Sequence, residues 1–465
     1  VSAEPREVAS PAGGLARGIG LFDATALVVG SMIGSGIFIV SAESSRVLGS
    51  AGWLLAAWAI AGTLTLIASL SCSELAAMLP KAGGQYVFFR EAYGPLVGFL
   101  FGWAMFLVIQ TGTIAAVAVA FAKFLGVLWP AISSTDPMLS LGPLRAAPGQ
   151  LVALVVIGFL TATNMTGLKA GTTTQNVFTL AKLAALLALT VLGLILGKGA
   201  ATALHAPGFW STSAGLTGFA LVAAVGTAMV GPLFSQSAWN NVTFAGEEIR
   251  QPEKTLPKAL LAGCVIVTLA YVLANVAYEN VLPLSGIQHA PQDRVATAVA
   301  TALFGPAAAA LTAAAIMVST FGCVNGLVLS GARVTFAMAR DGFFFKRLAT
   351  VNRAAVPAAA LAAQGVWAGV LVLSGDYGKL LKYVISVDIL FYVMLVGAVI
   401  VLRLRRPEWP RPFKAPGYPW LPLLYGAAGL LLIAILLRGN PRETWAGYAI
   451  VATGAPVYLL WRRAR

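Results

Sequence analysis

Two short runs in this sequence place backbone-exposing or polar groups in the middle of long apolar stretches. The first is GSMIGSGIF, Gly30 to Phe38, with glycines at Gly30, Gly34 and Gly36 and Ser35 between the last two. Glycine weakens a helix by ordering the most backbone and exposing its peptide groups. In a bilayer, an unwound turn persists only where it lines a polar cavity. Such a turn offers helix N-terminal N–H groups to a carboxylate and free carbonyls to an ammonium or another cation. Close helix packing through small residues is the alternative. The second run is Phe234 to Asn241, FSQSAWNN, which follows Pro232 and carries Ser235, Gln236, Ser237, Asn240 and Asn241. In hydrocarbon these groups need partners, so they face protein or water, or else bond neighbouring helices as packing glue. Two ionisable residues also fall within apolar segments, Lys182 in NVFTLAKLAALLALTVLG and Asp388 in KYVISVDILFYVM. An ionisable group at membrane depth is a functional candidate by default.

The elements that position these groups are membrane spans. The chain has 465 residues, 58% hydrophobic and only 10% charged, with mean hydropathy +0.84, whereas soluble domains carry about 25% charged residues. Apolar runs of spanning length lie near 21–42, 51–78, 95–128, 149–165, 174–197 and 214–246, and again near 258–280, 307–338, 356–374, 380–402, 418–437 and 444–461. About twelve helices are expected, an all-α polytopic membrane protein. The broken runs head the first and sixth spans, each the start of a set of five. Paired interruptions at corresponding places in two halves point to a 5+5 inverted-repeat fold with its site at the midplane. The expected division is a tail over 1–20, a first five-helix repeat over 21–200, a second over 213–402, and two further helices with a short tail over 403–465.

With the N-terminus inside, the cytoplasmic loops gather most of the Lys and Arg, among them Arg17, Lys81, Arg90, Lys258, Arg333, Arg340 and Arg403, while the opposite side keeps few, such as Arg46, Arg145, Lys198 and Lys382. The net charge of +14 is then the positive-inside bias, both termini are cytoplasmic, and no soluble basic module suggests nucleic-acid binding. Residues 1–20 read as a polar, mobile tail rather than a signal peptide. Cys72, Cys264 and Cys323 all fall in spans and imply no disulfide framework. His205 and His289, the two histidines, fall in outer loops, which speaks against haem or a His-built metal centre in the membrane. The run Tyr86 to Tyr93, after Gly83-Gly84, reads as a short helix lying at the inner face.

Four motifs, in order over residues 20–400, carry a resemblance: GSMIGSGIF, PKAGGQYVFFREAYG, WNNVTFAGEEIRQPEKTLPKAL and FGCVNGLVLSGARVTFAMARDG. The chain resembles the amino acid–polyamine–organocation transporters, above all their L-type amino acid transporter branch. The resemblance implies a substrate site at Met32, Ile33, Gly34, Ser35 and Gly36 of the first span, Phe234, Ser235, Ser237 and Asn240 of the sixth, and Asp388 of the tenth. The N–H groups of Ser35 and Gly36, with the Ser35 hydroxyl, would hold a carboxylate. The carbonyls of Met32, Phe234, Ser235 and Ser237 would hold an ammonium, and Phe234 would cover the substrate as the outer path closes. Ser237 and Ala238 stand where mammalian members have a glycine pair, which narrows the pocket toward smaller substrates. Asp388 stands where L-type relatives have asparagine; it either attracts a cationic side chain or bonds a neighbouring helix.

In the family, a lysine at the position of Lys182 occupies the sodium site of sodium-coupled relatives, here facing Gly34 and the Ser319, Thr320 and Cys323 stretch of the eighth span. It lies about nine residues, or about 14 Å, from the cytoplasmic end of its helix. Its ammonium is a fixed substitute for sodium, a proton carrier, or a structural tie. Glu247 and Glu248 are an inner gate pairing with Arg333 or Lys258, or a solvated acidic helix end. The implied function is sodium-independent exchange of small neutral L-amino acids by alternating access. Proton-coupled uptake, exchange of cationic amino acids or polyamines, and a non-transporting sensor are the alternatives. No enzyme chemistry and no cofactor are implied. The loop between the third and fourth spans, where eukaryotic relatives carry the cysteine that joins a heavy subunit, has none, so the expectation is a chain working without a disulfide-linked partner in a bacterial cytoplasmic membrane.

Overall fold

A computed structural model describes residues 17–133, 138–141, 144–197, 199, 208–374 and 377–463; residues 1–16 of the N-terminal tail, Lys198 and His205 lie outside them. The protein is an all-α polytopic membrane protein. Among the described residues ten helices are long and apolar enough to cross a bilayer. The expected ninth span is a helix of 17 residues, Ala358–Ser374, and the expected twelfth divides into Pro441–Ala452 and Gly454–Arg463. Sequence reasoning missed an antiparallel hairpin of β1 (Leu139–Leu141) and β2 (Leu144–Ala146) after the third span.

In chain order the helices are α1 (Leu21–Met32), α2 (Gly36–Leu48), α3 (Ala51–Met78), α4 (Gln85–Tyr93), α5 (Pro95–Ala104), α6 (Gln110–Leu128), α7 (Pro148–Met165) and α8 (Leu168–Leu196). There follow α9 (Gly218–Ala228), α10 (Val230–Ser235), α11 (Asn241–Phe244), α12 (Pro252–Val281), α13 (Leu284–Gln288), α14 (Val295–Phe304) and α15 (Ala307–Arg340). The rest are α16 (Ala358–Ser374), α17 (Tyr377–Arg405), α18 (Trp420–Gly439), α19 (Pro441–Ala452) and α20 (Gly454–Arg463).

Both expected breaks are present. α1 ends at Met32, residues 33–35 are non-helical, and α2 restarts at Gly36. α10 ends at Ser235, and residues 236–240 are irregular up to the single turn of α11. Within that second break Ala238 adopts φ 65°, a left-handed conformation that costs a residue with a Cβ roughly 1–2 kcal/mol. The third span has its own irregularity, a π-helical turn at Met105–Ile109 between α5 and α6, where the Thr111 hydroxyl donates to the Phe106 carbonyl at 2.8 Å.

Packing puts the breaks at the centre. α1 is enclosed by α8, α12 and α15, and α2 lies along α9 and α10. By contrast Val177, Leu180, Val191 and Ile195 of α8 are exposed, the apolar face a span turns to lipid. The short helix expected over Tyr86 to Tyr93 is present as α4, and its Tyr86, Val87, Phe88, Phe89 and Ala92 are buried against α5 and α17. The backbone ties α1 to the end of the second break, since Gly18 and Ile19 N–H both donate to the Glu248 carbonyl at 3.0 Å and Arg250 N–H donates to Ile19 at 2.9 Å.

Candidate functional site

The unwound turn after α1 frees carbonyls, and Lys182 collects them. Its fully buried ammonium donates to the carbonyls of Gly30, Ile33 at 2.8 Å and Ser319 at 3.4 Å. Ser319 closes the group by donating its hydroxyl to Ile33 and Gly34, both at 3.3 Å. Cys323 Sγ lies 3.1 Å from the Ser31 carbonyl. Three helices, α1, α8 and α15, thus converge on one buried cation with oxygen ligands. Of the residues expected around Lys182, Ser319 binds it directly and Cys323 packs beside it. Thr320 does not reach it, because its hydroxyl turns back to Ile316 and Met317 within α15. The approach is possible because Gly30 has no side chain: a Cβ there would lie 1.9 Å from Gln175 Nε2 and 2.3 Å from Thr179 Oγ1.

These bonds also redistribute the expected substrate ligands. The carbonyls of Ile33 and Gly34 face the Lys182 group. The Met32 carbonyl accepts from the Tyr271 hydroxyl and from Gly34 N–H, each at 2.9 Å. Tyr271 was not foreseen; it reaches Met32 from α12, braced edge-on by Trp58 at 5.5 Å. The N-terminus of α2 is covered as well, since a Cβ on Gly36 would lie 2.0 Å from Ser235 Oγ. The two breaks therefore touch at Gly36 and Ser235.

In the second break, the Phe234 carbonyl accepts from Ser237 N–H at 3.1 Å and from the Ser237 hydroxyl at 2.8 Å. The Ser235 hydroxyl donates to Gly231 at 2.9 Å. Gln236 is fully buried and fixed by Trp58 and Thr268. Asn240 lies farther along, donating to Gln85 Oε1 at 2.7 Å and accepting from the Tyr392 hydroxyl at 3.4 Å. Asp388 is buried and hydrogen-bonded to Tyr392, one turn along its own helix. Tyr392 stacks on Trp239 at 5.3 Å. Asp388 thus meets the second break through a tyrosine. Gln236, Trp239 and Tyr392 border a cavity of about 10 Å³, room for a single water at most.

The N-terminal face is shut by ion pairs. Arg333 of α15 and Glu248, each 1% exposed, form a bidentate pair at 2.7 and 3.0 Å. This is one of the two pairings expected for the glutamates, and it rules out a solvated end for Glu248. Glu247 pairs with neither Arg333 nor Lys258; Arg340 reaches it with two bonds at 2.7 and 3.0 Å, because it lies two turns beyond Arg333 on the same helix. Partial burial pushes the Glu247 carboxyl up, but the Arg340 guanidinium, with Ala82 and Lys81 behind it, more than offsets this and holds it below the usual carboxylate range. Arg90 of α4 bonds Asp341, and Tyr86 donates to Asp341 at 2.8 Å.

Two touching helix breaks lie beside a buried lysine and above a closed, charged face, and together they are the candidate site. The sequence profile of the family described as Amino acid permease matches residues 19–458. The chain belongs to the amino acid permease family. It is 32% identical to the human large neutral amino acids transporter small subunit 2, over 98% of this chain and 82% of that protein. It is 31% identical to the serine/threonine exchanger SteT of Bacillus subtilis, over 96% of this chain and 97% of that protein. It is 29% identical to the mouse Asc-type amino acid transporter 1, over 96% and 82%. As an amino acid permease the chain is an L-type-like member of a transporter superfamily, which agrees with the four sequence motifs.

Proposed function

We propose that this permease is a secondary active transporter exchanging small neutral L-amino acids by alternating access, without sodium, in a bacterial cytoplasmic membrane. The observation that carries the reading is the Lys182 ammonium, bonded to the carbonyls of Gly30, Ile33 and Ser319. It is a covalently attached cation in a cation-shaped group of oxygens that ties the broken first span to α8 and α15. A cation that cannot leave removes any need for a sodium ion to bind and dissociate in each cycle.

The substrate site lies where Gly36 meets Ser235. Opening that contact would expose the N–H groups of Ser35 and Gly36 to a carboxylate and the carbonyl ends of α1 and α10 to an ammonium. Phe234, buried beside the break, covers the path on one side; Glu248–Arg333 and Glu247–Arg340 bar the other. The small cavity at Trp239 and the filled turn at Ser237 and Ala238 favour small side chains, as does likeness to a serine/threonine exchanger. The two five-helix repeats, 21–200 and 213–402, would carry one break each, with both termini cytoplasmic. All three cysteines are buried, which supports a chain that works without a disulfide-linked subunit.

Counterflow in proteoliposomes tests the reading. Labelled serine or alanine should enter only when unlabelled substrate is inside, at the same rate after sodium is replaced by choline. Uptake into empty liposomes driven by a proton gradient would replace exchange with proton coupling, and no amino acid flux would remove the reading.

A further inference from the structure

A second cavity lies on the face opposite the N-terminal segment, directly over the contact between the two breaks. It encloses about 230 Å³ and is walled by Val40, Glu43 and Ser44 of α2, Gly231 of α10, Lys382 of α17 and Asn440, among others. A water molecule takes about 30 Å³ of liquid, so the space holds several waters and is on the scale of a small amino acid. Its floor is tight, since a Cβ on Gly231 would lie 2.7 Å from Val40 Cβ. Val40 and Gly231 are each four residues from Gly36 and Ser235, roughly one helical turn or 6 Å. A solute resting in this cavity is therefore one turn from the place where α2 and α10 must part.

Two residues of opposite charge line the cavity. Lys382 Nζ stands 3.9 Å from Glu43 Oε1, with the side chains 34% and 58% exposed. That separation is at the limit of an ion pair, and exposed pairs of this kind are weak and easily parted. Arg46, three residues further along α2, is committed elsewhere, bonding Asp293 at 2.8 Å and the Gln288 carbonyl at 2.6 Å. The Ser44 hydroxyl is also spent, on the Ala228 carbonyl at 2.8 Å.

We infer that this cavity is a staging site for a zwitterionic amino acid, in which Glu43 takes the ammonium and Lys382 the carboxylate before the solute descends to Gly36 and Ser235. An ammonium and a carboxylate on one carbon match a Glu–Lys pair that is close but not tightly joined; a purely cationic or anionic solute would meet one repulsive partner. The inference rests on the amino acid reading proposed above, and it adds the chemistry of recognition before the central site.

The test uses the full chain in right-side-out and inside-out membrane vesicles, with labelled L-serine as probe. Lys382→Ala and Glu43→Gln should each raise KM measured from the Glu43 face about two- to fivefold, the scale of one exposed charge contact. The maximal exchange rate and the KM from the opposite face should not change. The double reversal Glu43→Lys with Lys382→Glu should return KM close to wild type, because a zwitterion can turn to fit either arrangement. Raising salt should raise the wild-type KM on this face more steeply than that of Lys382→Ala, which keeps only the Glu43 contact, a comparison that needs no second variant to fold. Unchanged KM in both single variants, or an equal change on both faces, would overturn the inference. So would a faster maximal rate at unchanged KM, which would make the pair a latch. If wild type exchanges serine and the variants behave like it, the staging site alone fails. If wild type moves no amino acid, the proposed function fails and the staging site with it.

Discussion

Lys182 and Ser319 converge on a single carbonyl: Ile33 accepts the Lys182 ammonium at 2.8 Å and the Ser319 hydroxyl at 3.3 Å. That oxygen would have an intrahelical partner if the first span were continuous. The break and the buried cation are thus mutually dependent, since the freed carbonyls stabilise a charge that hydrocarbon would reject and the charge satisfies oxygens that lipid cannot.

Lys182→Met should therefore damage more than transport. It takes the Lys182 donor from the Gly30 carbonyl and one of the donors from Ile33, which keeps the Ser319 hydroxyl, and a buried polar group losing its partner costs about 1–3 kcal/mol. Melting in detergent should fall by several degrees, and counterflow should drop at least about tenfold. A variant with wild-type melting and exchange would show that the ammonium carries neither fold nor cycle.

Gly36 and Ser235 should behave as one unit. Gly36→Ala drives a methyl into the Ser235 hydroxyl, 2.0 Å away, and should cost about 1–3 kcal/mol as overpacking, with loss of binding. Pairing it with Ser235→Gly should restore a large part of the stability. Calorimetric melting of both singles and the double checks this, and strictly additive losses would place the two residues out of contact.

Ala238 carries backbone strain that a glycine relieves. At φ 65° the gain of roughly 1–2 kcal/mol exceeds the roughly 0.4–1 kcal/mol that glycine loses through the unfolded chain. Ala238→Gly should match or slightly exceed wild-type stability, and Ala238→Val should be clearly destabilised because a β-branched residue is an outlier there. Thermal melting of the pair decides it; Ala238→Gly below Ala238→Val would contradict the left-handed turn.

Glu247 gives the N-terminal face a pH dependence of known sign. Its folded-state carboxyl lies below the usual carboxylate range, so the Arg340 contact stabilises the protein at and above that range and the contribution disappears as pH falls through the lower folded value. The half-exposed pair is screened, so its worth is under about 1 kcal/mol. Glu247→Gln should melt slightly below wild type at pH 7, and the two curves should converge on acidification toward pH 3. A gap that widens in acid would reverse the assignment.

The sequence alone determined what depends on local composition. Apolar length sets the spans, glycine and polar clusters set the two breaks, and one lysine and one aspartate at membrane depth announce that they need partners. Those inferences hold because a bilayer imposes the same solvent on every stretch of chain. The identity of the partners was not legible. Lys182 and Gly30 are 152 residues apart, and Tyr271 and Met32 239 apart; nothing local states the rotation that brings them together. Helix rotation also separates neighbours in sequence, since adjacent residues point about 100° apart. Ser319 therefore faces the cation while Thr320 turns its hydroxyl into its own helix, and Glu248 is sealed against Arg333 while Glu247 meets Arg340. The same packing closes Ser235 over Gly36 and ties Asp388 to Tyr392. Span and break follow from the chain's affinity for lipid and its propensity for helix; pairing follows from how these segments share one interior, which only the tertiary structure decides.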